Sequence, residues 1–336
     1  MSMQHKIFVT GGTGLVGSNL LRLLLEKGHQ NIFALHRESS DMSLVSDLKD
    51  KVNWVEGDVL DVMALEQVMQ DASQVYHCAA IVSFDPREYK LMDQINIQGT
   101  ANMVNMALQL EVDKFLHVSS IAALGRSEGV KQADESTEWQ DSPWNTRYAI
   151  SKYQSELEVW RAAHEGLPVA IVNPSVIMGS GFWHKGTGRF FKIVDEGLKF
   201  YPTGSTGFVD VEDVAAYMYA LMESDIINER FLLNGENLPY QKVFNTIADH
   251  IKKPRPSIKV TPLLKALAWR VEKMKSIFFG SSPKVTRETA HNSSTDIQYD
   301  AKKSQDTFGI EYQSVLQSIE AMSANFLESK KISTLH

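Results

Sequence analysis

The sequence predicts an α/β protein, a doubly wound parallel sheet with a smaller C-terminal lobe. Three observations predict it. Short apolar runs alternate with helix-period segments through the first half of the chain. A glycine cluster stands at the first strand–helix junction, and the rhythm changes after about residue 174. The 336 residues exceed one minimal domain and fall short of three, so one large domain plus an appended lobe fits. With 43% hydrophobic and 22% charged residues the chain can bury a sizeable core.

The predicted strands are Lys6–Thr10, Asn31–His36, Val52–Asp58, Gln74–Ala80, Lys114–Ser120 and Val169–Asn173, most of them rich in Val, Ile and Phe and suited to burial on both faces. The first predicted helix, Gly14–Lys27, carries Leu15, Val16, Leu20, Leu21 and Leu24 and stops at Gly28, a C-terminal cap residue. Strand and helix in alternation imply a parallel sheet covered on both sides. Beyond residue 174, Gly179–Gly188 reads as loop and Phe190–Gly197 as a short helix. Phe208–Leu221 reads as strand or turn then helix, and Arg230–Leu233 as one more strand. From Lys252 the chain is punctuated by proline and then helical. Gly280–Ser294 reads as a polar, mobile loop.

Net charge is −7, which disfavours a nucleic-acid partner. A lone Cys78 excludes an intrachain disulfide and fits cytoplasmic residence. Strand-like sequence within a few residues of Met1 leaves no room for a signal peptide, and no apolar run approaches a membrane span. The scattered histidines offer no metal-ligand spacing, so no metal is expected.

The first strand runs into Thr10-Gly11-Gly12-Thr13-Gly14-Leu15-Val16-Gly17. Glycines 12, 14 and 17 satisfy one dinucleotide-loop spacing, G-x-G-x-x-G; glycines 11, 14 and 17 satisfy another, G-x-x-G-x-x-G. Both let the backbone approach a pyrophosphate at a helix N-terminus, the arrangement of a Rossmann-type domain. About 20 residues after Gly17, where an acid would read the free ribose hydroxyl of NAD, the sequence has His36-Arg37-Glu38. Arg37 offers a donor fork for a 2′-phosphate, which favours NADP(H) over NAD(H). The competing reading is a surface arginine with Glu38 at the ribose.

Tyr148 and Lys152, four residues apart at the start of a predicted helix, share one face. An ammonium beside a phenol lowers its pKa, so the phenol can exchange protons near neutrality. Ser120, just past the strand Lys114–Ser120, is placed where open α/β sheets bind ligands, and its hydroxyl can hold a carbonyl oxygen. Ser119 is the alternative, a turn residue on the competing reading.

The glycine loop, Ser120 and Tyr148-x-x-x-Lys152, in this order, resemble the extended short-chain dehydrogenase/reductase family over roughly residues 5–320. Asp58-Val59, His77-Cys78-Ala79-Ala80, Asn96-x-x-Gly99-Thr100, Asn173-Pro174-Ser175-Val176 and Phe208-Val209-Asp210-Val211-Glu212-Asp213-Val214 resemble further landmarks of it, and the wording is closest to dihydroflavonol-reductase-like members. The resemblance implies a dinucleotide-binding domain over 1–174, with later strand and helix contributions near 208–234. It implies a mainly substrate-binding lobe over 175–336, interleaved with the first. It implies cofactor contacts from Gly11, Thr13, Gly14, Leu15, Val16, Gly17, Arg37, Asp58, Val59, Ala79, Ala80, Tyr148, Lys152, Pro174 and Val176. It also implies hydride transfer to an aldehyde or ketone, with Tyr148 giving the proton, Ser120 holding the oxygen and Lys152 holding the ribose.

Ser83 and Phe84 follow the fourth strand and are candidates for the substrate pocket, as are Trp139 and Trp144 in the acidic insertion 126–147 and Trp183 and His184 in the glycine-rich loop. Ordinary packing is the competing reading for each. Leu263–Phe279 mixes an apolar face with Lys265, Arg270, Lys273 and Lys275; cover for the pocket is preferred over membrane docking. Two other functions compete with carbonyl reduction. One is a nucleotide-sugar epimerase or dehydratase with tightly held NAD, for which Arg189 and Arg255 are the available diphosphate ligands. The other is a non-catalytic NADP-sensing protein, which retention of Tyr148, Lys152 and Ser120 argues against. The resemblance also implies a homodimer through the Tyr148–Lys152 helix and Asn96–Leu110.

Overall fold

Alternate residues of β1 (Lys6–Thr10) enter two different cores in the computed structural model, which describes residues 5–125, 129, 131–261, 264 and 287–333. Ile7 and Val9 pack with Leu20, Leu21 and Leu24 of α1 (Leu15–Glu26), while Phe8 faces a second cluster on the other side. Burial of both faces is what an unbroken apolar strand demands. At the end of α1 the Gly28 N–H bonds Leu25 O and the His29 N–H bonds Leu24 O, with Gly28 at φ +88°, so the predicted glycine cap is present.

The chain continues through β2 (Ile32–His36), β3 (Asn53–Glu56), α2 (Val62–Met69), β4 (Ala72–His77), α3 (Tyr89–Asp93), α4 (Gly99–Gln109), β5 (Lys114–Val118), β6 (Gln132–Ala133), α5 (Arg147–His164) and β7 (Val169–Pro174). It goes on through β8 (Val176–Met178), α6 (Gly188–Asp195), β9 (Phe200–Tyr201), β10 (Ser205–Asp210), α7 (Val211–Glu223), β11 (Glu229–Leu233), β12 (Glu236–Pro239) and α8 (Tyr240–His250). Seven strands form one sheet in the order β11-β7-β5-β4-β1-β2-β3, and every pairing in it is parallel. Strand order reverses between β1 and β4, so the crevice at their carboxyl ends is the ligand edge. One face carries α1 and α7, sharing a core with Val214, Tyr217 and Leu221; the other carries α2, α4 and α5.

The second lobe interleaves with the first. A small sheet in the order β12-β10-β8 backs a core of Phe191, Phe208, Phe244, Ile319 and Phe326, drawn also from the helix Val315–Ser333. Between these pieces the chain returns to lay α7 on α1 and β11 beside β7. In the expected loop over Gly280–Ser294 the described residues are helical at Arg287–Asn292 and a turn at Ser293 and Ser294. Leu263–Phe279, Leu264 apart, lies outside the described residues. No described helix is long and apolar enough to cross a membrane.

Candidate active site

At the carboxyl end of β1 the backbone itself requires glycine. Gly11 has φ +68°, and a Cβ there would stand 2.7 Å from backbone atoms of Cys78 and Ala79. A Cβ on Gly17 would stand 2.3 Å from Gly11 O. At Gly12 the nearest obstacle is a movable side-chain atom, Leu21 Cδ1, at 3.0 Å. Backbone contact therefore demands glycine at 11 and 17, and the Gly14 N–H closes the turn on Gly11 O at 3.0 Å. Gly14 is the N-cap of α1. No side chain caps that end and no acid stands in its first turn, so its N–H groups and positive dipole end suit a phosphate. The register Thr10↔Leu35 puts Arg37 at the same sheet edge, exposed, with no acidic partner recorded for its guanidinium among the described residues; its N–H binds Ser40 Oγ at 3.0 Å. Asp58 accepts from the Leu60 N–H at 3.0 Å. Val59 is buried against Gly99, where a Cβ would fall 2.6 Å from Val59 Cγ2.

A buried chain of hydrogen bonds ties this edge together. The Ala79 N–H donates to Thr10 Oγ1 at 3.2 Å, Thr10 Oγ1 lies 2.7 Å from His77 Nδ1, and His77 Nε2 lies 3.0 Å from Thr100 Oγ1. Thr100 spends its hydroxyl hydrogen on Asn96 O at 2.6 Å, so His77 must donate from Nε2 and accept from Thr10 at Nδ1. Burial holds the His77 ring neutral, down to about 3. Asn96 sits in a π turn, Gln94–Gln98, brackets the Ile81 N–H and C=O at 2.8 and 2.9 Å, and donates to Ser151 Oγ at 3.0 Å. Ala79 is half-buried and Ala80 exposed along this rim.

Thr146 caps α5 by accepting from the Ala149 N–H at 3.1 Å, which fixes Tyr148 in the first turn. The Ser120 hydroxyl accepts from the Ala122 N–H at 3.1 Å and stands close enough to the Tyr148 phenol to favour its ionised form. Among the described residues Lys152 makes no hydrogen bond to the phenol. Burial pushes the Tyr148 phenol up, and what opposes this is the Ser120 hydroxyl. Lys152, buried, instead turns to β5: Nζ donates to Val118 O at 2.9 Å and lies 3.5 Å from His117 Nε2. Burial draws its ammonium down to about 8, with the Glu156 charge opposing. Ser119 proves structural. Its hydroxyl donates to the buried Glu156 carboxylate at 2.8 Å, which also receives Asn173 Nδ2 at 2.9 Å and Arg230 Nη1 at 3.0 Å. Asn173 Nδ2 also holds Ser120 O at 3.0 Å. Pro174 ends β7, and Val176, half-buried, opens β8 beside it.

On the open side, Phe84 presents its edge to the Tyr148 ring, centroids 6.2 Å apart. Ser83 corrects an expectation: it is buried, its hydroxyl donates to Glu88 Oε2 at 2.5 Å and accepts from the Asp85 N–H at 3.1 Å, so it shapes a turn and does not line a pocket floor. Trp144 stacks on His291 at 3.7 Å and Trp139 on Tyr153 at 4.3 Å. Trp139 also bounds a cleft of about 330 Å³ with Asp141, Asn145 and Ile150. Trp183 packs on Phe191 and Phe326 in the lobe core, and His184 is exposed. Arg189 is exposed, and Arg255 is paired with Asp249 at 2.7 Å. Motif reading quoted Thr10 and Asn96 without a role and missed Glu156. Thr10 is a polar residue ending an apolar strand, which was an available signal, whereas Glu156 lies among other polar residues of α5 and carries none.

A family profile described as the NAD dependent epimerase/dehydratase family matches residues 7–233. A Synechocystis sp. protein named "Putative dihydroflavonol 4-reductase" is 32% identical over 95% of this chain and 94% of its own length. The sterol demethylase protein B of Methylococcus capsulatus is 30% identical over 81% of this chain and 82% of its own. Among solved structures, gox2253 superposes with a TM-score of 0.82 at 30% identity, covering 97% of this chain and 99% of that one. The UDP-glucose 4-epimerase of Thermotoga maritima gives 0.78 at 19% identity over 96% and 99%, a likeness of fold.

Proposed function

The chain belongs to the NAD dependent epimerase/dehydratase family, whose members are NAD(P)-dependent oxidoreductases, epimerases and dehydratases, and we propose that within it the protein is an NADP(H)-dependent reductase of an aldehyde or ketone. The observation that carries this reading is the end of β2: an exposed Arg37 guanidinium, free of acidic partners among the described residues, at the edge that holds the uncapped start of α1. A 2′-phosphate matches that fork, and a reductase that exchanges its dinucleotide every turnover is served by such a surface contact. The names of the Synechocystis and Methylococcus relatives, and the cinnamoyl-CoA reductase of Petunia hybrida at 26% identity, point the same way.

The nicotinamide, when bound, supplies the hydride. The chain's residues do the rest. The Gly11–Gly17 turn and the first turn of α1 hold the pyrophosphate, with Thr13, Leu15 and Val16 around it. Asp58 and Val59 flank the adenine, and Ala79, Ala80, Pro174 and Val176 wall the nicotinamide end. Ser120 donates to the substrate oxygen, and Tyr148 passes its phenolic proton to that oxygen as it gains charge. A raised phenol is suited to this direction, because it keeps its proton until the oxygen becomes the stronger base. The positive end of α5 and the Lys152 charge then favour the phenolate left behind. Phe84 packs an apolar substrate against the Tyr148 ring. We also infer a homodimer through α5 and the helix around Asn96–Leu110, with Leu157 of α5 47% exposed.

The test is NADPH consumption with a panel of aldehydes and ketones, using wild type, Tyr148→Phe and Arg37→Ser. Wild type should turn over, Tyr148→Phe should lose at least about a hundredfold, and Arg37→Ser should lose about tenfold in NADPH affinity while leaving NADH unchanged. Protein that purifies with NAD bound and responds only to nucleotide sugars would sink the reductase reading in favour of an epimerase or dehydratase.

A further inference from the structure

We propose that His117 is a positioning residue for Lys152: its neutral imidazole accepts one ammonium hydrogen through Nε2, leaving the third hydrogen for the ribose of a bound dinucleotide. The proposal rests on the reductase reading only for the identity of that ligand.

Lys152 has three hydrogens to place and is 2% exposed, so water supplies little. One goes to Val118 O at 2.9 Å, and the next acceptor is His117 Nε2 at 3.5 Å. The other groups around the ammonium are already committed. His77, stacked on His117 with centroids 5.4 Å apart, spends both nitrogens on Thr10 and Thr100. Glu156, one turn further along α5, is held by Ser119, Asn173 and Arg230. Burial keeps the Cys78 thiol protonated, up to about 12. His117 itself is 1% exposed and stays neutral under burial and the adjacent Lys152 charge. Accepting at Nε2 puts its proton on Nδ1, and Nδ1 has no partner. A buried donor left unpaired costs stability, so a phenyl ring of similar shape would suit folding better. The histidine at this point of β5 is explained by what Nε2 does for Lys152.

Two measurements decide it. In protein labelled with ¹⁵N-histidine, the His117 shifts at pH 7 should report a neutral ring protonated at Nδ1; a proton on Nε2, or a cationic ring, overturns the proposal. NADPH titration by fluorescence from pH 6 to 10, with thermal unfolding alongside, compares His117→Phe and His117→Gln with wild type. His117→Phe should unfold no earlier than wild type yet bind NADPH about tenfold more weakly, and its alkaline loss of binding should begin about one pH unit lower, because the ammonium has lost an acceptor. Gln, which keeps an acceptor oxygen near the Nε2 position, should recover most of that loss. Wild-type binding and pH dependence in His117→Phe would overturn the proposal. Failure of every carbonyl substrate, with the binding pattern as expected, would sink the reductase reading alone.

Discussion

Lys152 illustrates how a single side chain can work against the stability of the fold that holds it. Its ammonium is drawn down to about 8 from an ordinary 10.5 by burial, so the unfolded chain binds this proton more tightly than the folded one. The sign follows. The folded state carries the full penalty below pH 8 and loses it as pH rises from 8 towards 10.5. At pH 7 that penalty is on the order of 3 kcal/mol, an upper bound because a replacement leaves Val118 O unbonded. Lys152→Met should therefore be inactive and yet melt several degrees higher than wild type at pH 7, with the gain shrinking at pH 10. A variant that melts lower at pH 7, or whose advantage grows with pH, would contradict this. Tyr148 shows what sequence spacing could and could not convey. Four residues on a helix place Tyr148 and Lys152 on one face, but which acceptor the ammonium meets depends on β5, 34 residues away, and no local pattern reports that.

Among the elements, β4 and β5 carry the pH response. His77 and His117 lie side by side in adjacent parallel strands and both are buried and neutral. Each takes up a proton near pH 6.5 once unfolded, whereas His77 resists to about 3 and His117 is likewise held well down. Stability should therefore change little between pH 7 and 8 and fall as pH drops below about 6, at about 3 kcal/mol per pH unit for the two protons together. Urea unfolding between pH 4 and 8 measures this, and His117→Phe should halve the slope; an unchanged slope in that variant would count against it. The strands themselves were legible, since β1, β2, β5 and β7 fall within a residue or two of their apolar runs. Their carboxyl ends were not. Gln74–Ala80 stops at His77 and Lys114–Ser120 at Val118 because Ala79 turns to Thr10, while Ser119 turns to Glu156. Those partners are distant in sequence. A different reason hid the turn role of Ser83, whose glutamate partner is near, five residues on, but at no helix or strand period.

At the scale of the whole molecule, α5 carries an exposed leucine, Leu157, as well as Tyr148 and Lys152. If copies of the chain pair there, Leu157→Asp should convert a dimer to a monomer in size-exclusion chromatography with light scattering, with its melting temperature nearly unchanged; a wild-type monomer would dispose of the pairing. The larger architecture was readable where periodicity runs long, in α1, α5 and the sheet; the stitching of the second lobe into the first came from the family resemblance, since interleaving leaves no mark on local patterns. That stitching has a consequence for biosynthesis. The Glu156 carboxylate, fixed beside Ser119 and Asn173, receives its guanidinium from Arg230 on β11, 74 residues later. A nascent chain emerging from the ribosome with α5 and β7 complete must therefore wait for the first part of the small lobe, residues 175–230, before its buried anion is neutralised. Until then the edge of β7 is open and Glu156 lacks its cation, so chaperone occupancy and the risk of strand-to-strand misassociation should peak in that interval of translation.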